Sequence, residues 1–145
     1  MYQYNSKIDY YNCEDNNYTQ QYNLMDTNNN SLFNVENSLM MGTLFKGIYN
    51  KYKNYEPIDI SISNQKEQLQ FYLDSIGFSL HDLNLYLDIY SDDINLIELF
   101  NHLNVQYEML KKDYESKFGP LLTTSKYNMT TPWQWNNSPW PWEKI

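Results

Sequence analysis

The 145-residue chain has no arginine, no alanine, one cysteine and four glycines, and its formal net charge is -8. Each shortage excludes something. With lysine as the only strong base and a sequence pI near 4.5, there is no guanidinium to fork onto a phosphate or read a guanine edge, and no basic face to displace counterions, so nucleic acid is excluded as a partner. Anionic membrane surfaces repel such a chain for the same reason. No stretch approaches the roughly 18 apolar residues that a bilayer span requires. The start, Met1 to Ser6, lacks the basic and then apolar run of a secretion signal, so the protein is expected to be made and kept inside a cell. A lone Cys13 cannot close an intramolecular disulfide, which leaves packing or partners to hold the fold. Four glycines are too few for a phosphate-cradling loop. The absence of alanine beside 20 asparagines reads as the imprint of an AT-rich coding genome, and the asparagines are discounted as functional evidence.

What is present is unevenly distributed. Residues 1–37 are rich in Asn, Tyr, Gln, Asp and Ser without any helical or strand period, and such a stretch cannot bury enough apolar surface to offset its ordering entropy, so a disordered arm is expected. Tyr2, Tyr4, Tyr10, Tyr11, Tyr18 and Tyr22 are spaced along it as isolated aromatic groups. They suit either a solvated tail or an adhesive, cross-linkable one. Within residues 38–60, Leu39 to Tyr49 is the first apolar cluster; two glycines make a long helix there unlikely, and the segment could dock on something already folded. Glu56-Pro57 favours an extended backbone and marks a boundary.

Residues 61–119 carry the strongest signal. Leu69, Leu73, Ile76, Leu80, Leu83, Leu87 and Tyr90 fall alternately four and three apart, and so do Leu96, Phe100, Leu103, Tyr107, Leu110 and Tyr114. Asn64 with Glu67 reads as an N-cap and capping box. Ser91 is the expected cap of the second helix, with two acids behind it, and Gly119-Pro120 closes that helix. So short a connection makes the pair an antiparallel hairpin. Phe78, Leu85 and Ile89 lie off the seam and widen it, so the first helix calls for contacts on two sides. Two helices by themselves are marginal, so either the tails add a third layer or the hairpin finds a partner, another copy included.

Residues 120–145 hold all four tryptophans, in Thr131-Pro132-Trp133-Gln134-Trp135 and Ser138-Pro139-Trp140-Pro141-Trp142-Glu143. Pro132, Pro139 and Pro141 favour polyproline-like extension over helix. An indole buries roughly 150–250 Å². Trp133, Trp135, Trp140 and Trp142 therefore either fold back over the hairpin as its third layer or anchor a partner; stacking on a glycan is a further use. The fold class expected overall is all-α: a two-helix hairpin with a disordered amino-terminal arm and an extended Trp/Pro tail.

Chemistry finds little support. Glu98 and His102 are four apart, and His81 adjoins Asp82, but a di-metal bundle needs Glu-x-x-His from two helices and two further glutamates. Cys13 has no neighbouring histidine. Asn17-Tyr18-Thr19 and Asn128-Met129-Thr130 match glycosylation sequons by chance in an Asn-rich chain. A non-enzymatic protein without catalytic residues, metal or cofactor is expected.

Asp82-Leu83-Asn84-Leu85-Tyr86-Leu87-Asp88, the acidic turn Ser91-Asp92-Asp93, Tyr114 to Leu121, and the two closing Trp units resemble the JB family of bacterial endospore coat proteins, over about 65–143. Ser91 stands where that family usually has proline. A shorter likeness, Gly42-Thr43-Leu44-Phe45 with Tyr49, Tyr52 and Pro57, is to the ending of the JA coat proteins, which makes the chain similar to a fusion of the two. The resemblance implies a structural component of the spore coat, made in the mother-cell cytoplasm and deposited on the forespore. It also implies other coat proteins as partners, among them a JC-type protein resembling manganese catalase. The alternative is a small aromatic module that binds glycan or cell wall.

Overall fold

The structure is a computed structural model in which residues 31–57 and 60–136 are described. Among them there are three α-helices and no strand: α1, Val35–Met41; α2, Gln65–Leu87; and α3, Ile94–Phe118. Three single 3-10 turns, Lys46–Ile48, Lys126–Asn128 and Gln134–Asn136, punctuate the connections.

α2 starts where its cap predicts. The Asn64 side chain accepts the Glu67 amide at 2.9 Å, and the Glu67 carboxylate reaches back to the amide of Ser63 at 2.9 Å and to its hydroxyl at 2.7 Å. The capping box thus closes one residue further back than a cap on Asn64 alone would place it. Two boundaries differ from the heptad reading. α2 ends at Leu87, short of Tyr90, because the Asp88, Ile89 and Tyr90 amides fold back on Asn84 and Tyr86 in a terminal turn. The cap of α3 is Asp93 and not Ser91: its carboxylate accepts the Leu96 amide at 3.2 Å, and Ser91 stays in the connecting turn. At the far end Gly119, at φ 103°, takes a backbone conformation that side-chain-bearing residues rarely adopt, and its amide closes on the Glu115 carbonyl.

α2 and α3 pack against each other antiparallel, with Gly77 opposite Tyr107 and Asp74 beside Tyr114. Leu69, Leu73, Ile76 and Leu83 of α2 meet Leu96, Leu103, Leu110 and Tyr114 of α3 in one buried cluster. Of the other seam positions, Leu80, Leu87, Phe100 and Tyr107 are half-buried and flank it, whereas Tyr90 is exposed. Burial, and the negative charge of Asp74, hold the Tyr114 hydroxyl above its ordinary pKa of 10.0, so it stays neutral at physiological pH.

α2 does have a second packed side, but not the one its apolar residues mark. Of the three residues marking that side, Leu85 and Ile89 are 51% and 75% exposed and Phe78 is half-buried. The covered face is instead the one bearing the fully buried Ser75 and Ser79, and α1 lies on it. The small side chains permit the close approach. Val35, Leu32 and Leu44 join the core from this layer. Three residues of helix α1, Val35, Glu36 and Asn37, fall inside the stretch expected to be a disordered arm, and the described backbone runs back to Ser31; residues 1–30 lie outside the described residues.

Gly77 costs α2 about 1 kcal/mol of helix propensity relative to alanine, and an added Cβ would sit in ordinary contact, 3.4 Å from the Tyr107 ring edge. Gly77→Ala is therefore expected to stabilise the chain by about 0.5–1 kcal/mol, read as a higher urea midpoint with an unchanged slope; a lowered midpoint would show that the helices cannot yield there.

Candidate functional site

Two regions were singled out by the sequence: the apolar cluster near residue 40 and the tryptophan tail. The structure builds them quite differently.

The first becomes a short wrap around α1. The Asn34 side chain caps the helix by accepting the Asn37 amide at 2.8 Å. Gly42, at φ 75°, ends it in the left-handed conformation, its amide on the Ser38 carbonyl. The chain then turns back so that Leu32 and Phe45 pair as an isolated antiparallel bridge, with Phe33 N–H donating to Leu44 C=O at 2.8 Å and Lys46 N–H to Ser31 C=O at 2.9 Å.

Polar bonds fix this wrap to α2. One Asp82 carboxylate oxygen accepts the Leu44 amide at 2.7 Å and the Thr43 hydroxyl at 3.0 Å, while the same hydroxyl accepts the Phe45 amide at 3.1 Å. Nearer the middle of α2 the hydroxyls of Ser38 and Ser79 lie 2.8 Å apart, each also within reach of a carbonyl of its own helix. With one hydrogen apiece, the two hydroxyls must share three acceptors. Phe45 stacks on Tyr86 with ring centres 4.8 Å apart, and Tyr86 leans on Tyr90 at 4.6 Å. In the sequence Asp82 is marked only by its neighbour His81 and by its place at the start of the family-like stretch Asp82 to Asp88. Its task here is structural, and the sequence pattern did not flag it. The hint in the sequence was its spacing: Ser75, Ser79 and Asp82 fall four and three apart, on one face of α2.

The tail is less extended than its prolines suggest. Thr131-Pro132 is a cis peptide, and Gln134–Asn136 coil into a 3-10 turn. Trp133 and Trp135 differ in setting: Trp133 is 54% exposed, and Trp135 is half-buried. The Trp135 amide donates to the Asn128 side chain at 2.8 Å, and the Asn128 side-chain amide donates to the Thr123 carbonyl at 3.0 Å. Asn128 is itself buried, so one of the discounted asparagines staples the loop after α3 to the first Trp unit. Glu115, also buried, anchors the start of that loop by accepting the Leu121 amide at 2.9 Å. Pro139, Trp140, Pro141 and Trp142 lie outside the described residues.

The residues weighed for metal do other things. His81 and Glu98 are exposed, while His102 Nε2 sits 3.0 Å from the Gln106 side-chain nitrogen. Among the described residues no three His, Cys, Asp or Glu side chains gather as a metal site. Likewise no helix is long and apolar enough to cross a membrane.

Asp82→Ala removes the acceptor of a part-buried amide and hydroxyl, a loss of about 1–3 kcal/mol; faster hydrogen exchange at the Leu44 amide, with α3 protection largely kept, is the expected signature. For the tail, Asn128→Ala in a chain whose only tryptophan is Trp135 is expected to red-shift its emission and raise its quenching by acrylamide. Identical spectra would mean that Asn128 does not hold it.

A family model described as CotJB protein matches residues 66–143, more than half of the chain. The match takes in nearly all of α2, the whole of α3 and the tail through the second Trp unit, and it leaves the wrap of residues 31–57 outside. No curated protein and no solved structure matches the chain.

Proposed function

Because the chain belongs to the CotJB protein family and is thereby a spore coat protein, we propose that it serves there as a structural, non-enzymatic component that holds other coat proteins through side chains its own fold leaves uncovered. The observation that carries this reading is the loop after α3. Trp133 and Met129 are 54% and 82% exposed within a few residues of each other, on a loop fastened from beneath by Asn128 and Glu115. A large aromatic group held outward on a fixed loop is the usual anchor of a protein interface. The partner is a JC-type coat protein resembling manganese catalase, engaged in the mother-cell cytoplasm before deposition on the forespore. In this reading the wrap over α2 is the JA-like part of the chain, docked in cis, and it leaves the Trp-bearing end for partners.

The test is made in sporulating cells producing the chain as Trp133→Ala/Trp135→Ala. Its amount in purified coats, and the amount of the manganese-catalase-like protein recovered with it, are expected to fall several-fold while the level in mother-cell lysate is unchanged. Normal incorporation of the double variant would sink the proposal.

A further inference from the structure

We propose that copies of this chain associate head to tail, the acidic, apolar tip of one helical hairpin seating in a lysine-rimmed groove on the outer face of α3 in the next copy.

The tip is the turn between α2 and α3. Ile89, Tyr90 and Ile94 are 75%, 55% and 69% exposed there, and the exposed Leu85 lies one helical turn before. Asp88 and Asp92 stand exposed among them. Asp93 is occupied in capping α3. These are large apolar side chains left uncovered at the end of the hairpin, where Tyr90 keeps a ring contact to Tyr86.

The groove lies between α3 and the loop that follows it. Its volume is about 710 Å³, and Val105, Met109, Leu122 and Tyr127 supply its apolar lining. Its charge runs against that of the chain. Glu108 is 3.7 Å from Lys111, and Glu115 is buried with its oxygen on the Leu121 amide. Lys112 and Lys126, both exposed, form no ion pair among the described residues. On a protein of net charge -8 this is a local positive rim around an apolar trough.

Tip and groove therefore match in both respects that make an interface, apolar contact at the centre and opposite charge at the edge. Other pairings fit less well. Two tips meeting on a two-fold axis would set Asp88 and Asp92 of each copy against the same acids of the other. A tip cannot fill its own groove, because Ile94 and Asn104 are ten residues apart on one rigid helix, about 15 Å. A contact between unlike surfaces that does not close on itself builds open chains, a geometry suited to a layered coat.

The test uses the purified full-length chain alone, so its failure would leave the coat-partner reading standing. In sedimentation velocity at low ionic strength the wild type is expected to gain mass with concentration, and to lose that gain at about 0.5 M salt, where exposed charges are screened. Asp88→Lys/Asp92→Lys and Lys112→Glu/Lys126→Glu, each with wild-type helix content by circular dichroism, are expected to stay monomeric alone and to associate again when mixed, because the reversed tip and the reversed groove complement each other. Ile89→Ser, which alters no charge and no core position, is expected to weaken association as well. A wild type that is monomeric at every concentration, as it would be if residues 137–145 of the same chain filled the groove, overturns the proposal. So do reversed variants that associate like the wild type, or a mixture that stays monomeric.

Discussion

The architecture turns on one carboxylate. Asp82 stands near the end of α2, in helical register with Ser75 and Ser79, and a single oxygen of it takes both the Leu44 amide and the Thr43 hydroxyl. Without that acceptor the turn leaving α1 would bury an unsatisfied N–H, which proteins rarely tolerate. With it, the backbone of residues 43–45 is held against α2, and Leu44 can enter the core, where it is 1% exposed. The described segment 31–45 closes around that point: the bridge between Leu32 and Phe45, the short helix between them, and the serine contact nearer the middle of α2. A two-helix hairpin, marginal by itself, thereby gains a third layer that adds Leu32, Val35 and Leu44 to its core.

The hairpin was legible in the sequence because its signals are local and repeated. Alternating spacings of four and three, an Asn-to-Glu capping pair and a Gly-Pro stop each follow from a few neighbouring residues, and each is found close to where it was expected. The errors lie where two rules competed. Tyr90 continues the heptad, so the period alone carried α2 three residues too far. Ser91 and Asp93 are both good caps, and the backbone path chose the second. Leu85 and Ile89 looked like a second core face because they are apolar, yet they are exposed, and the face that is covered carries serines. Hydrophobicity marks what gains from burial. It does not mark small polar residues that are buried because another helix comes close.

Helix α1 was illegible for a related reason. Seven residues with one strong N-cap and a glycine behind them are too few to show a period, and the residues that hold the helix and the turn after it, Ser79 and Asp82, stand about 40 residues away and belong to types usually exposed. The tail shows the same limit from the other side. Its prolines announced extension, while the turn it adopts is organised by Asn128, a residue that composition had made easy to dismiss. The matched family segment, 66–143, covers the legible part of the chain, and the layer that completes its core lies outside the match.

The wrap also has a place in time. α2 and α3 are joined across six residues, Asp88 to Asp93, whereas the bond from Leu44 to Asp82 spans 38 positions. Closing the longer loop costs about 1.5 kcal/mol more in chain entropy, and it can bind only after α2 exists to receive it. Hairpin first and wrap second is therefore the order of assembly that loop entropy favours, and the reverse order is the least costly way to open the molecule. What looks in the static fold like a third structural layer is, in the order of assembly, the piece that closes the core last.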